Sequence, residues 1–372
     1  MEALAGVGVP QALAAVRLAR RNPVSARSGV NPVHTRFSPV FVLGHSRSGT
    51  SLVCRLLLDN LGVNFGTESQ FIVRYHRKLA QYGDLRDDNR LRQMIGDISR
   101  ERFFARTRQN FGFVLDVDRA ARAVSDRTYS GALRSIFEQF AASQGHTRWG
   151  DKTPEYCRHL PVIRELFPDA HFLHVVRDGR DVAQSIFKTG FGPKNAYEAA
   201  LDWKRTISDI RAFGAQVAPG AFLEIRYEDL LADPVGTMGR VADGLGIVNH
   251  TDVIVAAAPR LRAYVRGNNA SKWRRQLTWR EIECFEAFAG DELHACGYAL
   301  EFRPRTTKTR SVLESCFWQA QAIWRRVVSA QYWADNWYKL GLRARDASLS
   351  LRAWAGPGRD GTRLTRVGFF SR

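Results

Sequence analysis

The sequence contains few cysteines, and those it has are widely scattered. Its 372 residues include five, Cys54, Cys157, Cys284, Cys296 and Cys316, with no CxxC pair. An odd number without close spacing argues against a disulfide framework and against a zinc site built from thiolates. The sequence therefore predicts a protein of a reducing compartment. A chain of this length can bury a large core without disulfides.

Long hydrophobic runs are also absent. No stretch of about 18 apolar residues occurs, so no membrane-spanning helix is predicted. Near the N-terminus Arg17, Arg20 and Arg21 follow small apolar residues, which is the reverse of the order in a signal peptide. We therefore expect residues 1–36 to be a flexible leader and the protein to be cytoplasmic, with a peripheral membrane contact left open.

Acidic residues are too few to balance the basic ones. The chain has 55 Lys and Arg against 37 Asp and Glu, a formal net charge of +18. Residues 302–372 hold 14 of these basic residues and four acidic ones, so +10 of the net charge lies in the last fifth of the chain. This balance suits an anionic partner. Nucleic acid is not expected as that partner, because no fingerprint of a known nucleic-acid-binding module occurs.

Short β-branched segments alternate with helical patterns along most of the chain. Residues 37–43, 170–176 and 221–226 are predicted to be buried strands. The predicted helices cover residues 51–61, 91–108, 127–143, 160–167, 180–187, 194–217, 235–245 and 279–296. Strands separated by helices favour βαβ units around a parallel sheet. The prediction is an α/β, P-loop-like three-layer fold over residues 37–303, followed by a basic, Trp-rich helical extension and a loose tail over residues 304–372.

The loop after the first strand lacks one residue of the Walker motif. Residues 44–51, GHSRSGTS, fit the pattern G-x-x-x-x-G-K-[ST] except that Thr50 stands in the lysine position. Glycines and a helix N-terminus direct backbone N–H groups at an anion, and Arg47 adds a positive charge. Since nucleotide triphosphatases use the lysine on the β- and γ-phosphates, its loss disfavours ATP or GTP hydrolysis. The loop suits a smaller group such as a phosphosulfate.

A second anion site is predicted at the end of the strand over residues 170–176. Arg177 follows that strand directly, and Ser185 lies about two helical turns further on. Ligands of open parallel sheets bind at the carboxyl ends of strands, and an Arg with a Ser hydroxyl can grip one anion. The alternative is a structural ion pair between Arg177 and Asp178 or Asp181.

The two anion-binding segments together resemble those of the sulfotransferases that use 3′-phosphoadenosine-5′-phosphosulfate, especially the tyrosylprotein and carbohydrate branch. The resemblance covers residues 39–298. It implies a site for the 5′-phosphosulfate in the first loop, a clamp on the 3′-phosphate, a tyrosine near the adenine, and a late loop, NNASKWRR over residues 268–275, that closes on the nucleotide. In that order, the residues implied are Arg47, Ser48, Gly49, Thr50 and Ser51; Arg177 and Ser185; Tyr227; and Ser271 and Lys272.

The same resemblance implies the catalytic residues. Glu68 would be the general base, Lys152 would contact the bridging oxygen, and Arg47 would stabilise developing charge. His45, inside the first loop, is the competing base. Sulfuryl transfer relies on positioning and charge stabilisation, and we expect no metal. One position departs from the tyrosylprotein pattern: Thr189, next to Lys188, stands where those enzymes place a further arginine.

The predicted function is thus transfer of a sulfuryl group to a hydroxyl of a carbohydrate, lipid, metabolite or tyrosine. Two alternatives stay open: a P-loop kinase or NTPase, and a non-catalytic nucleotide-binding protein that docks through its basic tail. For the extension, a helical arm that packs on the core or on a second copy in a homodimer is weighed against a peripheral membrane contact.

Overall fold

A computed structural model describes residues 37–189, 192–247, 250–265, 269–302 and 312–327, with backbone alone for residues 264, 312–316, 325 and 326. The predicted leader and the tail beyond residue 327 lie outside the described residues, so the predictions for them, and the domain bounds, stay predictions. None of the described helices has the length and hydropathy to cross a membrane.

The strands form one parallel sheet in the order β2-β3-β1-β4-β5. Their bounds are β1 Val40–Leu43, β2 Val63–Phe65, β3 Arg148–Asp151, β4 His171–Val176 and β5 Phe222–Arg226. The chain extends the sheet in both directions from β1, which is the arrangement that opens a ligand crevice at the carboxyl edge of doubly wound sheets.

The described helices separate and follow these strands. Between β1 and β3 lie α1 Thr50–Leu61, α2 Ile72–His76, α3 Asp88–Ser99, α4 Arg102–Phe111, α5 Val117–Ala123 and α6 Tyr129–Ser143. Between β3 and β5 lie α7 Leu160–Leu166, α8 Gly179–Ile186 and α9 Ala196–Gly214. After β5 come α10 Tyr227–Ala232, α11 Pro234–Gly244, α12 Thr251–Tyr264, α13 Trp273–Gln276, α14 Trp279–Ala295 and α15 Val312–Val327.

Both faces of the sheet are buried by helices. Alternate residues of β1 serve the two faces: Phe41 and Leu43 join a core with α6 and α7, whereas Val40 and Val42 join a core with α1, α11 and α12. A parallel sheet needs such cover on both faces. The predicted three-layer α/β fold and the helical C-terminal region are therefore confirmed.

The predicted helix over residues 91–108 is wrong as a single element, because the chain breaks between α3 and α4. Glu101 is buried and extended there. Its carboxylate accepts hydrogen bonds from Arg74 and from the Tyr75 hydroxyl, at 3.1 Å for the tyrosine. A buried charge needs such partners, and they fix the position of the break.

The strands β2 and β3 escaped prediction because both are short, with three and four residues, and β3 is largely polar. In β3 the sequence is RWGD, and its Gly150 lies so close to β1 that an added Cβ would approach the Val40 carbonyl oxygen at 2.5 Å. Only tertiary contact shows that these residues form a strand.

Candidate active site

The predicted site residues follow the five strands at one edge of the sheet. Glu68 comes after β2, Lys152 after β3, the loop of residues 44–49 after β1, Arg177 after β4 and Tyr227 after β5. Because all five strands are parallel, these residues lie in the order of the strands along the carboxyl edge. The fold thus gathers onto one edge residues that span 184 positions of sequence, from Gly44 to Tyr227.

The loop between β1 and α1 depends on its two glycines. A Cβ at Gly44 would approach the Val175 carbonyl oxygen at 2.7 Å, and one at Gly49, where φ is 91°, would overlap the ring of Tyr227. The loop also turns at Arg47, a non-glycine residue with φ of 73°. Strained backbone of this kind persists only where neighbours hold it, and here those neighbours are β4 and α10.

One cavity of about 460 Å³ collects most of the predicted nucleotide-binding residues. Its predicted lining residues are Arg47, Gly49, Thr50, Ser51, Arg177, Ser185, Tyr227 and Lys272. Prediction missed five others, Leu52, Gln184, Lys188, Asn269 and Gln276. Two of these could have been found from the sequence. Asn269 lies within the late loop, and Lys188 is next to Thr189, which stands where the tyrosylprotein enzymes place an arginine.

Two residues predicted to bind the nucleotide do not line this cavity. Ser48 is fully buried, and its hydroxyl has no hydrogen-bond partner among the described residues. Ser271 is exposed with φ of 54°, and its carbonyl accepts from the backbone N–H of Arg274 at 3.4 Å. Ser271 therefore shapes the turn into α13 from outside the cavity.

Arg177 joins three loops at the nucleotide end of the edge. Its terminal nitrogens donate to the Arg47 carbonyl at 3.1 Å and to the Asn269 carbonyl at 2.7 Å, and its guanidinium stacks 4.6 Å from the Tyr227 ring centroid. Asp181 forms a buried ion pair with Arg177, although its nearest oxygen, at 3.7 Å, is too far for a hydrogen bond. Arg177 Nε has no hydrogen-bond partner in the described part of the chain. Arg177 is thus a buried cation whose Nε donor is still available.

Arg47 and Tyr227 complete this end. Arg47 Nε donates to the Ser185 hydroxyl at 3.0 Å, which links the two predicted anion-binding segments. The Tyr227 ring lies between Gly49 and Arg177, while its hydroxyl accepts from Asn269 Nδ2 at 2.7 Å. The ring and the hydroxyl of Tyr227 are therefore both in contact with other parts of the protein.

Lys188 lies across the cavity from the late loop. Its ammonium donates to Gln276 Oε1 at 2.7 Å, and both residues line the cavity. Lys188 thereby places a positive charge beside the position where the resemblance expects an arginine. Together with Arg47, Arg177 and Lys272 it makes four cationic residues around one cavity.

Behind the cavity a buried ionic network centres on Arg180. This guanidinium binds Asp178 at 2.8 Å and also pairs with Glu286, and it stacks 3.9 Å from the Trp273 ring centroid. Burial by itself lowers the pKa of Arg180, but hydrogen bonds and charge from the two carboxylates outweigh burial and raise it. Asp181 accepts the backbone N–H of Trp273 at 2.9 Å. The network thus fixes the late loop against β4.

At the other end of the edge, Glu68 and Lys152 contact each other. Lys152 Nζ donates to Glu68 Oε1 at 2.7 Å, and the two side chains are 18% and 35% exposed respectively. Neither lines the cavity. The next residues hold the two loops together, since Ser69 N donates to Thr153 Oγ1 at 3.0 Å and the Ser69 hydroxyl meets the Tyr156 hydroxyl at 2.8 Å.

Asp151, next to this pair, was not singled out from the sequence. It is 3% exposed, and one of its carboxylate oxygens has no hydrogen-bond partner among the described residues. Burial raises the pKa of Asp151 to about 6, although hydrogen bonds from Thr153 and Ser69 and the charge of Lys152 oppose the rise. A carboxyl that titrates near neutrality therefore lies behind the Glu68–Lys152 pair.

Both ring nitrogens of His45, the competing base, are engaged. Nδ1 lies 2.8 Å from the Ser46 carbonyl oxygen and Nε2 lies 3.0 Å from Asp202 Oδ2. Burial by itself raises the pKa of Asp202, but its bonds to His45 and Arg158 outweigh burial and lower it. His45 is itself buried. This geometry supports a loop-shaping role.

The cavity fits an anionic, phosphate-bearing molecule. Its lining supplies four cationic side chains. Gly44 and Gly49 leave the loop without the Cβ atoms that would clash with its neighbours. Among the described residues, Arg177 Nε is a buried donor without a hydrogen-bond partner. In the described ranges no cluster of three His, Cys, Asp or Glu side chains could hold a metal ion.

Comparison with known proteins matches these features. A model of the sulfotransferase family matches residues 39–252, more than half of the chain. Protein-tyrosine sulfotransferase A of Caenorhabditis elegans is 25% identical over 228 residues, which cover 58% of this chain and 51% of that protein. Omega-hydroxy-beta-dihydromenaquinone-9 sulfotransferase Stf3 of Mycobacterium tuberculosis is 28% identical over 164 residues, 40% of each chain.

These matches span about half or less of each relative's length. Among solved structures, the sulfotransferase domain from the curacin biosynthetic pathway aligns with 71% of this chain and 99% of its own, at 16% identity and a TM-score of 0.44. That score is too low to carry an argument about function.

Proposed function

Because the chain belongs to the sulfotransferase family, we propose that it transfers a sulfuryl group from 3′-phosphoadenosine-5′-phosphosulfate to a hydroxyl of an acceptor. The observation that carries the proposal is the single cavity in which Arg47, Arg177, Lys188 and Lys272 meet the glycine loop. A nucleotide with phosphates at two positions needs cations on two sides, and this cavity has them on the first loop, on β4 and α8, and on the late loop.

In this proposal the first loop holds the 5′-phosphosulfate. The backbone N–H groups at the start of α1 and the hydroxyls of Thr50 and Ser51 would bind its oxygens, with Arg47 as the charged partner. Arg177 and Ser185 would hold the 3′-phosphate, and Lys188 adds charge beside them. The Arg47–Ser185 hydrogen bond supports this division, because it places the two anion sites next to each other.

The transfer itself is assigned to the other end of the edge. Glu68 accepts the proton of the acceptor hydroxyl as the acceptor oxygen attacks sulfur, and the bond between sulfur and the 5′-phosphate oxygen breaks in line. The leaving oxygen gains negative charge, which Lys152 and Arg47 stabilise. The nucleotide leaves as 3′-phosphoadenosine-5′-phosphate, and the acceptor keeps the sulfuryl group.

The Glu68–Lys152 contact supports this pairing of roles. Lys152 engages only Oε1 of Glu68, and Oε2 receives no hydrogen bond from the described residues. One carboxylate oxygen is therefore held while the other can meet an acceptor hydroxyl, which is the geometry a general base requires. His45 lacks such a free atom.

The acceptor is proposed only as an alcohol or phenol. The relatives act, by their names, on protein tyrosine and on a hydroxylated menaquinone. Helices α2–α6, which lie between Glu68 and Lys152 in sequence, are the segment expected to shape the acceptor pocket. A cytoplasmic location and a homodimer stay predictions from the sequence.

Calorimetric titration tests the nucleotide directly. We expect 3′-phosphoadenosine-5′-phosphate to bind without metal. In Arg177→Ala its affinity should fall by about 100-fold or more, because the charged hydrogen bonds of the guanidinium are removed. Arg205→Ala is the matched control, since Arg205 is 76% exposed on α9. Preference for ATP with magnesium would favour the kinase alternative. Sulfate transfer from labelled donor to an alcohol and a phenol then tests catalysis.

A further inference from the structure

Helix α15 carries an apolar stripe that the described structure leaves open to solvent. Phe317, Ile323 and Trp324 are 59–67% exposed, and Ala320 is exposed between them. At 100° per residue these four positions fall within about 120° of the helix circumference. Among the described residues this helix has three large exposed hydrophobic side chains on one face.

The opposite face of α15 is docked on the protein. Ala322 is fully buried, and the Trp318 carbonyl accepts a hydrogen bond from Asn195 Nδ2 at 2.6 Å, at the start of α9. The helix is therefore held in a fixed orientation, and the stripe points away from the core. The predicted packing of the extension on the core accounts for one face of the helix, while Phe317, Ile323 and Trp324 on the other face are exposed.

Charge identifies the partner. Residues 302–372 carry a net charge of +10, while the whole of residues 37–301 carries +4. Two copies of so basic a segment would repel each other if their stripes met, whereas an anionic surface would attract each of them. Trp and Phe beside Arg and Lys is also the composition that binds the boundary between lipid headgroups and acyl chains.

We propose that the stripe of α15 docks on an anionic phospholipid surface, with its apolar side chains entering the headgroup boundary, and that the net positive charge of residues 302–372 attracts this segment to the lipid. This contact is separate from the nucleotide cavity and does not rest on the reaction proposed above. It would hold the protein at a membrane surface without a spanning segment.

Vesicle flotation of the full chain tests the proposal. Vesicles of equal phosphatidylglycerol and phosphatidylcholine are compared with vesicles of phosphatidylcholine alone. We expect flotation with the anionic vesicles only, and weaker flotation in 0.5 M salt because the attraction is screened. Ile323→Ser/Trp324→Ser is expected to bind about tenfold or more weakly, since two large apolar side chains no longer enter the membrane.

The matched control is Trp279→Ser, because Trp279 is as exposed as Trp324, at 68% against 67%, but lies on α14. It is expected to float like the unaltered protein. Calorimetric binding of 3′-phosphoadenosine-5′-phosphate and the thermal unfolding midpoint, unchanged in both variants, would show that the double variant is folded.

Several outcomes would overturn the proposal. These are absence of flotation with anionic vesicles, equal flotation of the double variant, or an equal loss in Trp279→Ser. A second copy would be the partner instead if sedimentation showed a dimer that Ile323→Ser/Trp324→Ser converts to monomer. Failure of nucleotide binding in the unaltered protein would count against the proposed reaction and leave the flotation result intact.

Discussion

On one side of β1, Arg177 and Arg180, which follow β4, are buried, whereas on the other side Glu68 and Lys152, which follow β2 and β3, are partly exposed. Arg177 is 5% exposed and holds two carbonyls of separate loops. Glu68 is 35% exposed and holds only Lys152. The two sides belong to one edge of the sheet and differ in how accessible their charged groups are.

The difference follows from what each side would bind. A nucleotide with several negative charges is held most tightly by cations that are already in place, since ordering them on binding would cost free energy. An acceptor proton must leave, and this requires a carboxylate that an acceptor or water can reach. Under the proposed function, the side of Arg177 would serve as a rigid binding site for the nucleotide, and the side of Glu68 would keep its carboxylate accessible to the acceptor.

The largest effect is expected for Glu68→Gln, which separates the two sides. The amide cannot accept the acceptor proton, so kcat should fall by about 10²- to 10⁴-fold. Nucleotide affinity should stay unchanged because Glu68 does not line the cavity. Steady-state kinetics measures kcat and calorimetry measures nucleotide affinity. Glu155→Gln, on the neighbouring exposed turn, is the control. If kcat fell in His45→Gln while Glu68→Gln kept full activity, His45 rather than Glu68 would be the general base.

Next in size is Arg180→Met, which tests whether the nucleotide side depends on its buried network. The change leaves Asp178 and Glu286 buried without their cation, and the free energy of unfolding should fall by about 3–5 kcal/mol. Urea denaturation measures this free energy of unfolding. Arg205→Met, on an exposed surface, should have almost no effect. Arg180→Met/Glu286→Gln should recover part of the loss, and no recovery would contradict the network as the cause.

Asp151→Asn tests the titrating group of the transfer side. Because burial raises the pKa of Asp151 to about 6, the native state binds this proton more tightly than the unfolded chain does. Its contribution to stability is therefore present at low pH and is lost as the pH rises from about 4 to above 6, by about 3 kcal/mol. Relative to the unaltered protein, Asp151→Asn should gain stability between pH 4 and pH 8.

Urea denaturation across that pH range measures the gain. Asp209→Asn, an exposed aspartate of α9, is the control and should show no such pH-dependent difference. A constant difference between Asp151→Asn and the unaltered protein at all pH values would mean that Asp151 stays ionised when buried.

The smallest effect is expected for Tyr227→Phe, which removes one hydrogen bond of the nucleotide side. The ring still fills the space beside Gly49, but Asn269 Nδ2 loses its acceptor at 2.7 Å. Nucleotide affinity should fall about 5- to 10-fold with kcat unchanged. Tyr197→Phe, whose ring contacts Phe288, is the control for loss of a hydroxyl. A fall in kcat without a change in nucleotide affinity would contradict the assignment of Tyr227 to nucleotide binding.

The first anion loop was largely predictable because its signal is local. A buried strand, two glycines at fixed spacing and a helix start lie within 12 residues, and each has a known backbone requirement. Arg177 and Ser185 were predictable for the same reason. Lys188 and Gln276 were missed because they meet only when α8 and the late loop are brought together, 88 residues apart in sequence.

The ion-pair alternative for Arg177 shows how local reasoning reaches its limit. Sequence proximity offered Asp178 and Asp181 as partners, and Arg177 does form a buried ion pair with Asp181 at 3.7 Å, whereas Asp178 pairs with Arg180. The hydrogen bonds of Arg177, however, go to carbonyls of two distant loops. No spacing rule indicates a backbone carbonyl as a partner, since every residue carries one.

By itself the sequence determined the family and the class of fold, and it singled out the two segments predicted to bind anions, because these depend on short patterns of glycine, hydroxyl and charge. Tertiary structure decided which residues share a site. It brought Glu68 to Lys152 across 84 residues, buried Asp151 behind them, enclosed Arg180 and Trp273 together, and left one face of α15 open. Burial and contact between distant segments arise only when the sheet forms, so no local pattern encodes them.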